Sequence, residues 1–224
     1  MRTGYAEGEN GLCRGVRGHP RLVRLSARGW NPTFVRLPQV HAAIEYAERM
    51  HAGQRRADGT PFILHPLEVA SLLYYAAAPD HLIAAGVLHD VLEKSSASEE
   101  DVRRVFGPRI TRLVLSVSDD ERITGYAKRK GALRRQVAVA GDEALMLFAA
   151  DKLSKVRELR REQTIHGHAT GSPRRRELRT RRLRHYQRSL ALLQERLPDS
   201  PIVRQLRDEM RAFPRADPAL ASAH

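Results

Sequence analysis

Leu82-Ile83-Ala84-Ala85-Gly86-Val87-Leu88-His89-Asp90-Val91-Leu92-Glu93 decides the reading of this chain: an apolar stretch, an imidazole beside a carboxylate, then apolar residues again. A run of that composition reads as a buried helix. A histidine and an aspartate within it are costly to desolvate unless something compensates both. A divalent metal ion is one compensator, and a hydrogen-bonded core pair is the other. Outward from this stretch, His65 closes Gly59-Thr60-Pro61-Phe62-Ile63-Leu64-His65-Pro66, and Asp151 lies within Leu147-Phe148-Ala149-Ala150-Asp151-Lys152-Leu153. His65, His89, Asp90 and Asp151 form a mixed nitrogen and oxygen set, which suits Mn, Fe or Zn better than Ca or Mg and leaves positions open for water and substrate. Cys13 is the only cysteine, so an all-thiolate zinc site and an intrachain disulfide are excluded.

The chain of 224 residues is long enough for one well-buried domain with extensions. No stretch approaches the roughly 20 uninterrupted apolar residues of a membrane span, and the N-terminus has arginines but no apolar segment that would mark export. The expectation is therefore a cytoplasmic protein that does not span a membrane. The net charge of +13 is concentrated at the ends: residues 1–36 contribute +5, residues 37–170 contribute +1 and residues 171–224 contribute +7. Such runs read as solvated helix faces or tails more readily than as a nucleic-acid surface.

Residues 1–36 are rich in Gly and Arg without helical periodicity, and disorder is expected there; a start codon assigned too far upstream would give the same pattern. From Gln39 the apolar positions Val40, Ile44, Ala47 and Met50 mark a helix ending at His51-Ala52-Gly53. A loop over 53–61 follows, then helices over 66–78 and from Pro79-Asp80 to Lys94. Ser98 with three acids behind it caps a short helix to Gly107. Ile110, Leu113, Val114 and Val117 mark another segment, and helices follow over 126–139, 143–162, 174–197 and 200–213, with a loop over 166–173. Nothing alternates with period two long enough to require a strand. The expected fold is all-α, a single helical bundle over 37–165 with a basic helical extension over 166–224.

Gly53-Gln54-Arg55-Arg56, Gly59 to Pro66 as quoted above, His89-Asp90-Val91-Leu92-Glu93, Phe106-Gly107 and Ala150-Asp151-Lys152-Leu153 together resemble the hydrolase domain of RelA/SpoT-type enzymes, within the HD superfamily of metal-dependent phosphohydrolases. The likeness runs from about Val40 to Leu159. It implies an all-helical HD domain, one Mn ion held by His65, His89, Asp90 and Asp151, and removal of the 3′-pyrophosphate from (p)ppGpp.

Glu93 lies four residues after His89 and three after Asp90, so on a continuous helix it shares their face. The resemblance gives an acid at this position the task of activating or orienting water; an exposed helical ion pair is the plainer alternative. Arg55 and Arg56 precede His65 and are placed to meet phosphate charge or stack on a purine, base stacking being what the resemblance implies for Arg56. A solvated loop pair is the competing reading. Arg129 and Lys130 are further phosphate candidates, equally readable as a solvated helix face. His51, at the end of the first helix, lies near the substrate loop.

Three positions depart from the family pattern: Lys94 stands where an acid is usual, Ala57 where Lys is usual, and Lys155 where Asn is usual. The ligands are intact while substrate-facing positions have changed. The expectation is retained hydrolysis with an altered substrate, Lys94 and Lys155 meeting phosphate on a related nucleotide. Two other functions fit the sequence. One is an HD phosphohydrolase or phosphodiesterase of different substrate. The other is a non-catalytic metal-containing protein that binds nucleotides or nucleic acid through Arg174, Arg175, Arg176, Arg179, Arg181, Arg182 and Arg184.

Overall fold

The computed structural model describes residues 37–166 and 172–213. The disorder expected over 1–36, and most of the loop expected over 166–173, lie outside the described residues. The described chain is helical: α1 (Pro38–Met50), α2 (Leu64–Tyr75), α3 (Asp80–Leu88), α4 (Val91–Lys94), α5 (Glu99–Val117), α6 (Tyr126–Ala140), α7 (Asp142–His166), α8 (Pro173–Arg196) and α9 (Pro201–Arg211). One isolated antiparallel bridge, Arg55 to Pro61, closes the loop before α2. The all-α expectation holds.

The helix starts follow local chemistry. Pro38 opens α1, where its missing amide hydrogen costs nothing. The first-turn amides of Gln39 and Val40 are capped from a distance by Asp80, at 3.3 and 3.2 Å, which ties α1 to the start of α3. Ser98 caps α5 by accepting the Asp101 amide at 3.1 Å. Inside α5, Gly107 takes φ 78°, a conformation open to glycine, and Pro108 restarts the helix. The break expected after Gly107 is therefore a kink between two helical segments.

Helices α3 and α7 form the interior. α3 packs on α1, α2, α5 and α7, while α7 packs on α2, α3, α5, α6, α8 and α9. Every residue of α3 from Leu82 to Leu88 is buried. Phe148, Leu145, Leu147 and Leu153 of α7 join Leu73, Leu82, Leu88 and Ile110 among the fully buried side chains, each stabilising by about 1.5–3 kcal/mol relative to exposure. Gly86 permits the close crossing of α2 and α3: a Cβ there would lie 2.7 Å from Leu73 Cδ1 and 3.5 Å from Ala70 Cα. α8 buries Leu183 and Leu193 and α9 buries Ile202, Val203 and Leu206 in the same core. No described helix is long and apolar enough to cross a membrane.

The stretch that opened the sequence reading differs in one respect. A continuous helix to Lys94 was expected, but α3 stops at Leu88 and α4 begins at Val91. His89 stays near helical geometry and Asp90 turns to φ −97°, ψ −3°. Adjacent residues of an unbroken helix project about 100° apart. Across this turn both neighbouring side chains nonetheless reach His65 Nε2, at 3.2 and 3.6 Å.

Candidate metal centre

His65 stands in the first turn of α2, His89 and Asp90 in the bend between α3 and α4, and Asp151 in the third turn of α7. All four are buried. His65 Nε2 lies 3.2 Å from His89 Nε2 and 3.3 Å from Asp151 Oδ1. His89 Nε2 lies 3.6 Å from the same Asp151 oxygen. Asp90 places one oxygen 3.6 Å from His65 Nε2 and the other 3.5 Å from His89 Nε2. Donor atoms bound at about 2.0–2.2 Å to one ion at tetrahedral or right angles fall about 2.8–3.6 Å apart, so these spacings suit a shared cation. His65, His89 and Asp151 make the tightest group, with one ligand atom from each mutually within 4.8 Å.

Hydrogen bonds behind the imidazoles fix their tautomers. His89 Nδ1 lies 2.8 Å from the carbonyl oxygen of Gly86, which only accepts, so Nδ1 carries the proton. His65 Nδ1 lies 2.9 Å from Ser154 Oγ, and that hydroxyl donates to Glu68 Oε2 at 2.9 Å. Its lone pair is left to accept from His65 Nδ1–H. Both neutral rings therefore turn an Nε2 lone pair toward the same point, beside two carboxylates. Four electron-rich atoms this close repel unless a cation or a proton joins them, and the donor set fits a divalent ion. Ser154 and Glu68 carried no signal in the sequence, because a serine and a glutamate on separate helices are linked only by the fold.

Two lysines complicate the charge. Lys152 Nζ is 2.5 Å from Asp151 Oδ2 and 4.4 Å above the Phe148 ring centre. Burial lowers its pKa to about 8, against the pull of Asp151. Lys155 Nζ lies 2.8 Å from Asp151 Oδ1, the oxygen that faces both imidazoles. Burial resists the charge on Asp151, but Lys152, Lys155 and the two imidazoles outweigh it and hold the carboxyl well below its ordinary range. Burial likewise opposes the charge on Asp90, and Lys155, His89 and His65 overcome it. Burial lowers the pKa of His65. At His89 burial is overridden by Asp90 and Asp151, and the pKa rises.

The other expected site residues spread around this centre. Glu93 Oε1 accepts the Asp119 amide at 2.6 Å, so the acid fastens the end of α5 to α4. Glu93 lies within the helical turn that the Lys94 amide closes on the Asp90 carbonyl at 2.9 Å. The Lys94 side chain is exposed, and its carbonyl accepts from Gln54 Nε2 at 2.5 Å. Arg55 is exposed and donates to the Gly59 carbonyl at 2.7 Å within its own loop. Arg56 is no solvated loop residue: its side chain is 7% exposed, donates to Glu158 Oε1 at 2.8 Å, and leaves a buried Nη2 without an acceptor. Lys130 and Arg129 both reach Asp119 Oδ2, at 2.5 and 3.4 Å. His51 is buried against Phe62, its Nδ1 3.0 Å from Gln54 Oε1 and its Nε2 without a partner.

Comparison with known proteins gives a consistent picture. A family model described as HD domain matches residues 43–184. A GTP pyrophosphokinase of Streptomyces coelicolor is 35% identical over 152 residues, covering 66% of this chain and 17% of its own. A probable guanosine-3′,5′-bis(diphosphate) 3′-pyrophosphohydrolase of Mycoplasma pneumoniae is 30% identical over 149 residues, covering 60% and 20%. This chain thus spans about a fifth of the length of those relatives. A solved structure described as "A metazoan ortholog of SpoT hydrolyzes ppGpp and plays a role in starvation responses" superposes with TM-score 0.66 and 26% identity, covering 77% of this chain and 94% of the other. The Listeria monocytogenes protein lmo0812, with TM-score 0.56 and 23% identity over 68% of this chain and 95% of its own, shares the fold.

Proposed function

Because this chain belongs to the HD domain family, we propose that it is a metal-dependent phosphohydrolase that removes the 3′-pyrophosphate from (p)ppGpp or a related pyrophosphorylated nucleotide. The observation that carries this reading is the convergence of two Nε2 lone pairs, fixed by Gly86 O and by Ser154 with Glu68, on the carboxylates of Asp90 and Asp151. The relatives described as 3′-pyrophosphohydrolases support the substrate class.

In this reading His65, His89, Asp90 and Asp151 hold one divalent ion, with Mn as our choice among Mn, Fe and Zn. When bound, the ion acts as a Lewis acid and lowers the pKa of water. The protein's own groups do the rest. Glu93 is the candidate to accept a proton, its carboxylate held in place by the Asp119 amide. Lys94 and Lys155 meet phosphate oxygens as point charges. Arg56, braced by Glu158, offers a guanidinium plane for a purine, and Arg55 adds charge at the loop rim. Arg129 and Lys130 are substrate contacts that Asp119 holds in place.

We assign residues 37–165 to the catalytic domain, residues 1–36 and 166–224 to basic extensions, and the protein to the cytoplasm. Product analysis tests the reaction. Incubating the Mn-loaded protein with ppGpp should give pyrophosphate and GDP in equal amounts; orthophosphate or a nucleoside monophosphate instead would move the protein to a different phosphohydrolase activity.

A further inference from the structure

The loop before α6, α6 itself and α8 line a half-open cavity of about 600 Å3. None of the four candidate metal ligands lines it. Its walls carry Lys128, Lys130, Arg134, Arg181, Arg184 and Arg188, and no carboxylate. Lys130 is paired with Asp119 and Arg181 with Glu177. Among the described residues, no carboxylate pairs with Lys128, Arg134, Arg184 or Arg188. Burial, Arg188 and Arg135 all depress the pKa of Arg134, as expected of a cation gathered with cations.

Two further features point to what this cavity takes. His185 lines it and is 4% exposed. Its Nδ1 lies 2.9 Å from Arg134 Nη1, and an arginine only donates, so Nδ1 accepts and the neutral ring carries its proton on Nε2. That Nε2 is buried and has no partner. Behind the cavity wall there is therefore a buried N–H without an acceptor. The second feature is the start of α6, whose first-turn residues Tyr126, Ala127 and Lys128 line the cavity. Gly125 caps this helix without a side-chain hydrogen bond, and no acid stands in its first turn. Uncapped amides and the helix dipole both favour an anion there.

We propose that this cavity is a second anion site, sharing Lys130 with the proposed substrate contacts but none of the metal ligands, which binds a small ligand through a chain of two or more phosphoryl groups. One phosphoryl group cannot meet cations on two helices and a helix start together, whereas a linked chain reaches several of them. The volume lies in the range of small-molecule sites. The Tyr126 ring, with Lys130 Nζ 6.0 Å from its centre, supplies a flat surface for an attached base. Lys130 also links the site to the metal centre's surroundings, since it holds Asp119, whose amide is bound by Glu93.

The test is calorimetric titration of the full chain with inorganic pyrophosphate, and separately with GDP, on wild type, Arg184→Ala/Arg188→Ala and Asp90→Ala. Both arginines are exposed and stand outside the proposed catalytic machinery, so the double variant should fold. Pyrophosphate or GDP should bind wild type and Asp90→Ala alike, weaken at least about 10-fold in the double variant, and weaken steeply with salt. Tighter binding of GDP would identify a nucleotide as the source of the phosphoryl chain, and equal binding would identify the chain alone; both support the site. Binding lost in Asp90→Ala but kept in the double variant would overturn the proposal, as would capture of an oligonucleotide alone or no binding. Retained binding without any hydrolysis would leave this site standing and count against the proposed reaction only.

Discussion

Lys155 Nζ lies 2.8 Å from Asp151 Oδ1, on the same oxygen that faces His65 Nε2 at 3.3 Å and His89 Nε2 at 3.6 Å. A fixed ammonium therefore shares the carboxylate that a divalent ion would use. Like charges this close near a protein surface repel by a few kcal/mol before solvent screening, and the partly exposed Lys155 retains only part of that. Lys155→Asn should tighten Mn binding by about 10-fold, read by metal titration. The same change should raise KM for the nucleotide if the lysine meets phosphate during turnover.

Ser154 orients the metal-facing ring of His65 without touching the centre itself. Ser154→Ala removes the acceptor of His65 Nδ1–H and leaves Glu68 Oε2 to Arg161 alone. Such changes behind a ligand typically cost about 10- to 100-fold in metal affinity. The expected result is that loss with a thermal melt nearly unchanged in excess Mn; an unaltered affinity would show that the ring needs no such support.

Acid should separate the apo fold from metal binding. The folded-state pKa values of Asp90 and Asp151 are depressed, so their contribution to stability is present above about pH 4, near the unfolded carboxylate pKa, and is lost as pH falls through the folded values. His65 and His89 shift in opposite senses and partly cancel near neutrality. Metal binding requires both rings neutral, and because the pKa of His89 is raised, protons compete with Mn from above pH 6.5. The rise in melting temperature on adding Mn should therefore shrink on acidification before the apo protein itself loses stability. Urea midpoints and melts across pH 4–8, with and without Mn, check the order.

Gly86→Ala tests how the fold sets the site. The added Cβ would meet Leu73 Cδ1 at 2.7 Å, so α2 and α3 must separate or Leu73 must leave its rotamer. Overpacking of this kind costs about 1–3 kcal/mol. It also displaces the carbonyl that fixes the His89 tautomer, so Mn affinity should fall together with the urea midpoint.

Arg56 and Glu158 form a pair that local sequence could not reveal, 102 residues apart. Glu158→Gln leaves a nearly buried guanidinium with a weaker partner and should cost about 1–2 kcal/mol. If Arg56 carries a purine, the variant should also raise KM while kcat changes little, which steady-state kinetics would resolve.

Much of this architecture is legible from local chemistry. Pro38, Ser98 and Gly107 punctuate helices because caps, turn geometry and φ are local properties, and the four candidate ligands stand out because polar groups amid apolar runs demand compensation. What the sequence did not reveal is relational. Periodicity ran straight through His89-Asp90, whereas tertiary demand at the centre bends the chain there. Glu93 was read by helical spacing, yet its hydrogen bond goes to Asp119, an amide on the loop after α5. Arg56 read as a loop cation, and only the packing of α7 beneath it buries the side chain. Lys152 was a helix lysine in sequence and is a buried partner of Asp151 in the fold.

The most direct test is Mn-dependent turnover of ppGpp by wild type and Asp90→Ala, with metal content and products measured on the same samples. The account predicts one Mn per wild-type chain and release of pyrophosphate, with both lost in a folded Asp90→Ala protein. Hydrolysis that persists in a metal-free variant, or a wild-type chain that binds no divalent ion at any affinity, would contradict it.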